Sequence, residues 1–184
     1  GEFWACKEDL VLYTVLGSCV SVCLKDPLTN VAGMNHFMLP LPGRDPPPAG
    51  SAFTSDSGRF GIHAMELLIN KMLSLGAQKS RLNAKVFGGG HVLPSGTGSD
   101  RVPTSNISFA LDYLETESIP IIATDVGGFQ GRKVVFFCAS GAVYIQKLKQ
   151  TSATTIIKSE SKYRTKIQAT TAQTSQVTLF DEED

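Results

Sequence analysis

Hydrophobic residues in the first part of the chain fall into short runs. Residues 10–24 are mostly apolar or β-branched, and only Gly17 and Ser18 interrupt them. This pattern predicts a strand, a sharp turn and a second strand, with Cys19 at the bend. A further apolar run over residues 31–39 predicts a third strand, which a proline then ends.

Two later segments show the three- and four-residue spacing of amphipathic helices. The first covers residues 60–75, and Gly76 can end it in a left-handed conformation. The second is expected to begin at Ser105 or Asn106 as its N-cap. The predicted inner faces consist of Ile62, Met65, Ile69 and Met72 in the first helix and of Ile107, Leu111 and Leu114 in the second.

Further strands are predicted on either side of the second helix. Apolar runs cover residues 84–87, 119–124, 133–138 and 142–147, and Ser140-Gly141 joins the last two as a hairpin. Residues 40–58 contain five of the nine prolines and predict a long surface loop. The order of elements favours an α+β fold, because the crossovers are too few and too uneven for a doubly wound parallel sheet.

Composition narrows the class of protein. The chain has 184 residues and is 42% hydrophobic, which predicts one domain over residues 1–150 and a Ser/Thr-rich, acid-ended tail over residues 151–184. The formal net charge is zero, so no nucleic-acid partner is expected. The apolar runs are too short to span a bilayer, and we expect no signal peptide. We therefore expect a soluble, cytoplasmic protein without membrane insertion.

Cys19 and His36 form the pair that could carry chemistry. A cysteine attacks as its thiolate, and a nearby imidazole can take the thiol proton. Backbone N–H groups at Ser18, Cys19 or Val20 could face an oxyanion, because a tight glycine-containing bend leaves amides outside the strand ladder. From spacing alone, a buried structural thiol is the commoner outcome, and Cys23 on the following strand is expected to be one.

Other histidines compete for the role of base. His91 follows a triple glycine and could approach a cleft, whereas His63 lies on the first predicted helix and is expected to face solvent or the adjacent loop. On spacing alone, His36 is more often a hydrogen-bonded strand residue than a base. The three histidines and four cysteines lack the short spacing of a metal site, so no metal ion is predicted.

Several short motifs occur in order along residues 3–148, without large gaps. They are TVLGSCVSVCL (14–24), GMNHFMLP (33–40), AMELLIN (64–70), AKVFGG (84–89), and DVGG with GRK (125–128 and 131–133). Together these motifs resemble the CheD family of bacterial chemoreceptor glutamine deamidases. The resemblance implies a single cysteine-hydrolase-like domain over residues 1–150. It also implies a layered α/β/β sandwich with mixed sheets, like the deamidase domain of cytotoxic necrotizing factor.

The same resemblance implies roles for individual residues. Cys19 matches the family nucleophile and His36 the family base, while Thr14 on the preceding strand matches the third catalytic residue, with Tyr13 as the alternative to Thr14. The implied reaction converts glutamine side chains to glutamate on the cytoplasmic helical bundle of a chemotaxis receptor. It proceeds through a cysteine thiolate and a thioester and needs no cofactor. A CheC-type phosphatase is a further implied partner.

Two other classes of function stay open at this point. The chain could be a non-enzymatic chemotaxis adaptor that binds receptors or a CheC-type phosphatase, because the motifs do not separate binding from catalysis. A peptide-cleaving cysteine protease is less favoured, since nothing in the sequence suggests a groove for an extended chain.

Overall fold

The computed structural model describes residues 2–40, 55–92 and 101–148, together with positions 162 and 165. Within these ranges the chain is built from strands, two long helices and a short 3-10 turn at Lys79–Arg81. The strands are β1 (Glu2–Cys6), β2 (Val11–Leu16), β3 (Val20–Lys25), β4 (Ala32–His36), β5 (Asn83–Gly88), β6 (Ile121–Val126), β7 (Arg132–Phe137) and β8 (Val143–Lys147). The helices are α1 (Asp56–Ser74) and α2 (Arg101–Thr116).

The strands form two sheets. The larger sheet has the order β1-β4-β3-β5-β6 and is antiparallel except for the β5–β6 pair, which α2 separates along the chain. The smaller sheet has the order β2-β7-β8 and is antiparallel throughout. The turn between β2 and β3 therefore carries the chain from one sheet to the other, and Cys19 lies on that passage.

Alternation along β3 separates two hydrophobic cores. One set of residues, Val20, Val22 and Leu24, packs in a cluster with residues of α1 and α2. The other set, Cys19 and Cys23, packs in a cluster with Val134 and Phe136 of β7. Because successive side chains of a strand point to opposite faces, the five-stranded sheet lies between the helices and the three-stranded sheet. The predicted α+β class is confirmed.

Helix α1 begins before the predicted position. Ser55 is its N-cap, and the Ser55 hydroxyl accepts a hydrogen bond of 3.0 Å from the Gly58 amide. Residues 56–58 therefore belong to the helix, and the prediction that the loop continues to residue 58 was wrong. The C-terminal prediction is confirmed, because Gly76 follows the helix with φ of +95°.

Helix α2 also begins earlier, at Arg101, so the predicted N-cap at Ser105 or Asn106 was wrong. Asn106 lies inside the helix and is fully buried. Pro103 falls in the first turn, where backbone N–H groups have no partner within the helix, so its missing donor costs nothing there. The predicted inner face holds in part: Leu114 is buried, and Ile107 and Leu111 pack partly buried against the core.

The predicted strands are confirmed to within a few residues, including the hairpin that joins β7 to β8. Strand β1, which pairs with β4 at the edge of the larger sheet, was not predicted. Most of the predicted loop (residues 41–54) and the tail over residues 151–184, apart from two positions, lie outside the described residues. In the part of the chain that the structure describes, no helix is both long and apolar enough to cross a membrane.

Candidate active site

Cys19 and His36 lie on the same face of neighbouring strands. Val20 and Phe37 form an isolated antiparallel bridge, with hydrogen bonds of 3.0 and 2.9 Å in the two directions. Both of these residues belong to the helix-side core, so Cys19 and His36, one position before each, face the three-stranded sheet. In this register they are diagonal neighbours, whose Cα atoms typically lie about 7–8 Å apart, so the sulfur and the ring can approach each other.

Thr14 of β2 meets His36 from the opposite sheet. The Thr14 hydroxyl and the Nδ1 atom of His36 are 2.9 Å apart, within hydrogen-bond distance. Tyr13, the alternative third residue, points away from the site and is 69% exposed. Since adjacent residues of a strand face opposite sides, the same alternation that directs Thr14 inward directs Tyr13 outward.

His36 is neutral at physiological pH. Burial lowers the pKa of its imidazole from 6.5 to about 4, and the carboxylate of Glu2, which is paired with His36 on β1, opposes this shift. A neutral imidazole has one ring nitrogen that can accept a proton. The His36 side chain is therefore an imidazole with a nitrogen that can accept a proton, rather than an imidazolium.

The triple glycine after β5 holds the Cys19 turn from one side. The Gly89 amide donates to the Cys19 carbonyl at 2.7 Å, and the Gly90 amide donates to the Gly17 carbonyl at 2.6 Å. Gly88 has φ of +113°, and a Cβ atom at this position would lie 2.2 Å from the Cys19 oxygen. A side chain cannot be accommodated there, so the close approach of this segment to the Cys19 turn requires glycine.

Asn106 holds the same turn from the other side. Its Nδ2 donates to the Ser18 carbonyl at 2.8 Å, and its Oδ1 accepts from the Leu39 amide at 2.8 Å. Sequence reasoning missed this role, because Asn is common at N-caps. The signal was present: with Val102, Phe109, Ala110 and Tyr113, Asn106 occupies the buried stripe of α2. A polar side chain on an apolar helix face implies internal hydrogen-bond partners.

The loop between β6 and β7 packs beside the triple glycine. Its Gly127 amide donates to the Gly88 carbonyl at 2.9 Å, and the His91 amide donates to the Gly128 carbonyl at 2.8 Å. The Arg132 guanidinium is buried and donates to the carbonyls of Asp125 and Gly127. This segment is a turn between strands, and the Arg132 side chain links it to the end of β6.

One of the three backbone amides predicted to face an oxyanion donates its hydrogen bond within the sheet. The Val20 amide is part of the bridge to Phe37, so Val20 was a wrong candidate for this role. The amides of Ser18 and Cys19 remain the sequence-based candidates for this role.

The other two histidines and Cys23 have surroundings that differ from those of His36 and Cys19. His63 is exposed on α1, as predicted. The ring of His91 packs 6.1 Å from that of Phe129, centroid to centroid. Cys23 is 1% exposed, and burial raises the pKa of its thiol well above the usual range. The described residues include no cluster of three His, Cys, Asp or Glu side chains that could hold a metal ion.

Comparison with known families adds to this geometry. A family model described as CheD chemotactic sensory transduction matches residues 38–147, which is more than half of the chain. The chain belongs to the CheD family. Its relatives include a probable chemoreceptor glutamine deamidase CheD 1 of Shewanella oneidensis, which is 47% identical over 91% of this chain and 79% of the relative. A probable chemoreceptor glutamine deamidase CheD 2 of Chromobacterium violaceum is 47% identical over 98% of this chain and 87% of the relative.

These matches cover the site to different extents. The family match begins at residue 38, so it includes Asn106 but not Thr14, Cys19 or His36. The similarity to the Chromobacterium violaceum relative spans almost the whole chain and therefore includes all four residues. Family membership thus agrees with the motifs, while the individual roles depend on the geometry described above.

Proposed function

We propose that this CheD-family chain is a protein-glutamine amidohydrolase that converts glutamine side chains of a chemoreceptor to glutamate. The observation that carries the proposal is the Thr14–His36 hydrogen bond beside Cys19, because it brings together a nucleophile, a base and an orienting group from two strands and the turn before β3. The names of the relatives supply the substrate class.

The geometry suggests an order of proton transfers. Thr14 accepts a hydrogen bond from Nδ1–H of His36, which leaves Nε2 as the basic nitrogen. His36 takes the thiol proton as the Cys19 sulfur attacks the amide carbon of glutamine, and the turn amides bind the oxyanion. The proton then passes to the leaving nitrogen and ammonia departs. Water, deprotonated by His36, cleaves the thioester to yield glutamate and the free thiol.

Access to the sulfur favours a slender substrate side chain. Cys19 is only 2% exposed, so the reacting group must reach it through a narrow opening. A glutamine side chain is long and unbranched and carries its amide at the tip, whereas the backbone amide of an extended peptide lies between bulky neighbours. The site therefore fits side-chain deamidation better than peptide cleavage.

The cellular setting belongs to the same proposal. We place the substrate glutamines on the cytoplasmic helical bundle of the receptor and the enzyme in the cytoplasm beside it. A CheC-type phosphatase is a second proposed partner.

Mass spectrometry of a chemoreceptor cytoplasmic fragment tests the proposed function. Each conversion of glutamine to glutamate adds about 1 Da, because an NH₂ group is replaced by OH. We expect the wild-type protein to produce this gain and Cys19→Ala to produce none. An unchanged fragment after incubation with folded wild-type protein would refute the proposal and favour a non-enzymatic adaptor.

A further inference from the structure

Asn106 connects the two segments that carry the nucleophile and the base. Ser18 immediately precedes Cys19, and Leu39 follows His36 by three residues. One buried amide side chain reaches both, with hydrogen bonds of 2.8 Å to the Ser18 carbonyl and from the Leu39 amide. A side chain of α2 therefore sets how these two segments lie against each other.

Backbone pairing between β3 and β4 does not by itself fix how these two segments lie against each other. Direct pairing of β3 with β4 ends at Cys23 and Met34, and only the Val20–Phe37 bridge follows it toward the site. In the intervening gap, the Asn35 side chain accepts from the Val22 amide at 2.9 Å. A side-chain hydrogen bond thus takes the place of backbone pairing between the regular ladder and the Val20–Phe37 bridge.

The bond to Ser18 also fixes the direction of an N–H group. In a planar trans peptide the carbonyl of one residue and the N–H of the next point in opposite directions, and the described residues contain no cis peptide bond. The Ser18 carbonyl points to α2, on the helix side of the sheet. The Cys19 N–H therefore points to the other side, where the Cys19 side chain lies.

We propose that Asn106 is a positioning residue that holds the Cys19 amide toward the oxyanion formed during deamidation. This inference rests on the proposed function and adds a residue to it. Asn106 touches neither substrate nor sulfur in this role: it acts through the Ser18–Cys19 peptide. Preorganised donors of this kind stabilise the charge that develops in the transition state.

The variant Asn106→Asp separates the two hydrogen bonds of the side chain. It is nearly isosteric and keeps an oxygen for the Leu39 amide, but in its ionised form it has no donor for the Ser18 carbonyl. We expect kcat for deamidation of the receptor fragment to fall about 100-fold, and KM to change by less than about threefold. Ser108→Ala, on the exposed side of the same helix, is the matched control and should leave both constants unchanged.

Alkylation of Cys19 by iodoacetamide distinguishes positioning from a general loss of structure. This displacement occurs at a saturated carbon and forms no oxyanion, so it needs the thiol and His36 but not the oriented amide. We expect the Cys19 alkylation rate of Asn106→Asp to stay within about threefold of wild type while deamidation falls far more. Asn106→Ala buries no charge and gives the same comparison if the carboxylate prevents folding.

Lowering the pH should partly restore the activity of Asn106→Asp. A protonated carboxyl group can donate to the Ser18 carbonyl, and burial raises the pKa of a carboxyl group. The activity of Asn106→Asp relative to wild type should therefore rise as the pH falls from about 8 to 6. Equal losses of alkylation and deamidation, or an activity ratio that does not change with pH, would overturn the proposal. If wild type itself does not deamidate the fragment, the proposed function fails instead.

Discussion

Cys19 and Cys23 occupy nearly the same environment by the usual measures. They lie four residues apart, face the same inter-sheet core, and are 2% and 1% exposed. What differs is the backbone around them and the groups on the opposite strand. Burial and residue type therefore do not separate a candidate nucleophile from a structural thiol in this protein.

Cys23 lies within regular sheet. It is paired with Met34 of β4 on one side and with Lys85 of β5 on the other, and burial raises the pKa of its thiol. Cys19 lies just outside regular sheet, on a turn whose carbonyls are bound by the Gly89 and Gly90 amides and by Asn106. A neutral imidazole stands diagonally across from it. The interruption of the sheet is what distinguishes the surroundings of these two similar thiols.

Removing each thiol in turn should give the largest difference. Cys19→Ala should lower kcat for receptor-fragment deamidation by at least about 10³-fold, because no other group can form the acyl intermediate. Cys23→Ala should keep kcat within about threefold and lose about 1 kcal/mol of unfolding free energy through the small cavity it leaves. Steady-state kinetics and thermal unfolding measure these effects. Comparable activity losses in the two variants would show that Cys19 is not distinguished from Cys23 as the nucleophile.

The residue pair on β2 should give the next largest difference. Thr14→Val keeps the shape of the side chain but loses the hydroxyl that holds His36, and kcat should fall about 10- to 100-fold. Tyr13→Phe alters only an exposed side chain on the opposite face and should have no effect. If Tyr13→Phe is the more damaging change, the alternation that places Thr14 in the site is incorrect.

The smallest expected effect is in the pH dependence. Because the pKa of His36 is about 4, kcat/KM should fall on the acid side near that value rather than near the 6.5 of an ordinary imidazole. A titration of kcat/KM between pH 3.5 and 8, with short assays to limit unfolding, measures this limb. A midpoint close to 6.5 would show that His36 is not the base or is not buried as described.

The same pKa shift predicts a stability effect of known sign. The unfolded chain binds a proton on His36 near pH 6.5, whereas the folded protein binds it only near pH 4. The contribution of His36 to stability is therefore complete above pH 6.5 and is lost as the pH falls toward 4. Denaturant unfolding at several pH values should show a shallower acid loss in His36→Gln than in wild type.

Local patterns in the sequence predicted most of the strands and the bend at Cys19. They did not predict that β2 and β3 belong to different sheets, because alternation determines which face a residue occupies but not which strand pairs with it. They also left Tyr13 and Thr14 unresolved. Only the arrangement of the two sheets directs Thr14 toward His36.

Asn106 shows where local rules fail for a physical reason. Asn favours N-caps because its side chain can bond nearby backbone groups, and the preceding segment contains a proline. Here the same hydrogen-bonding capacity is used across 88 residues of chain, to the Ser18 carbonyl. Asn106 therefore lies inside the helix, and tertiary contacts rather than a local cap satisfy its side chain.

The most direct test of the Cys19 assignment is the mass of the enzyme in an acid-quenched single-turnover reaction with a chemoreceptor fragment. We expect a transient covalent adduct with the combined mass of enzyme and fragment less about 17 Da for the lost ammonia. Peptide mapping should place the adduct on Cys19 in wild type and in Cys23→Ala. An adduct that maps to Cys23, or that persists in Cys19→Ala, would contradict the Cys19 assignment.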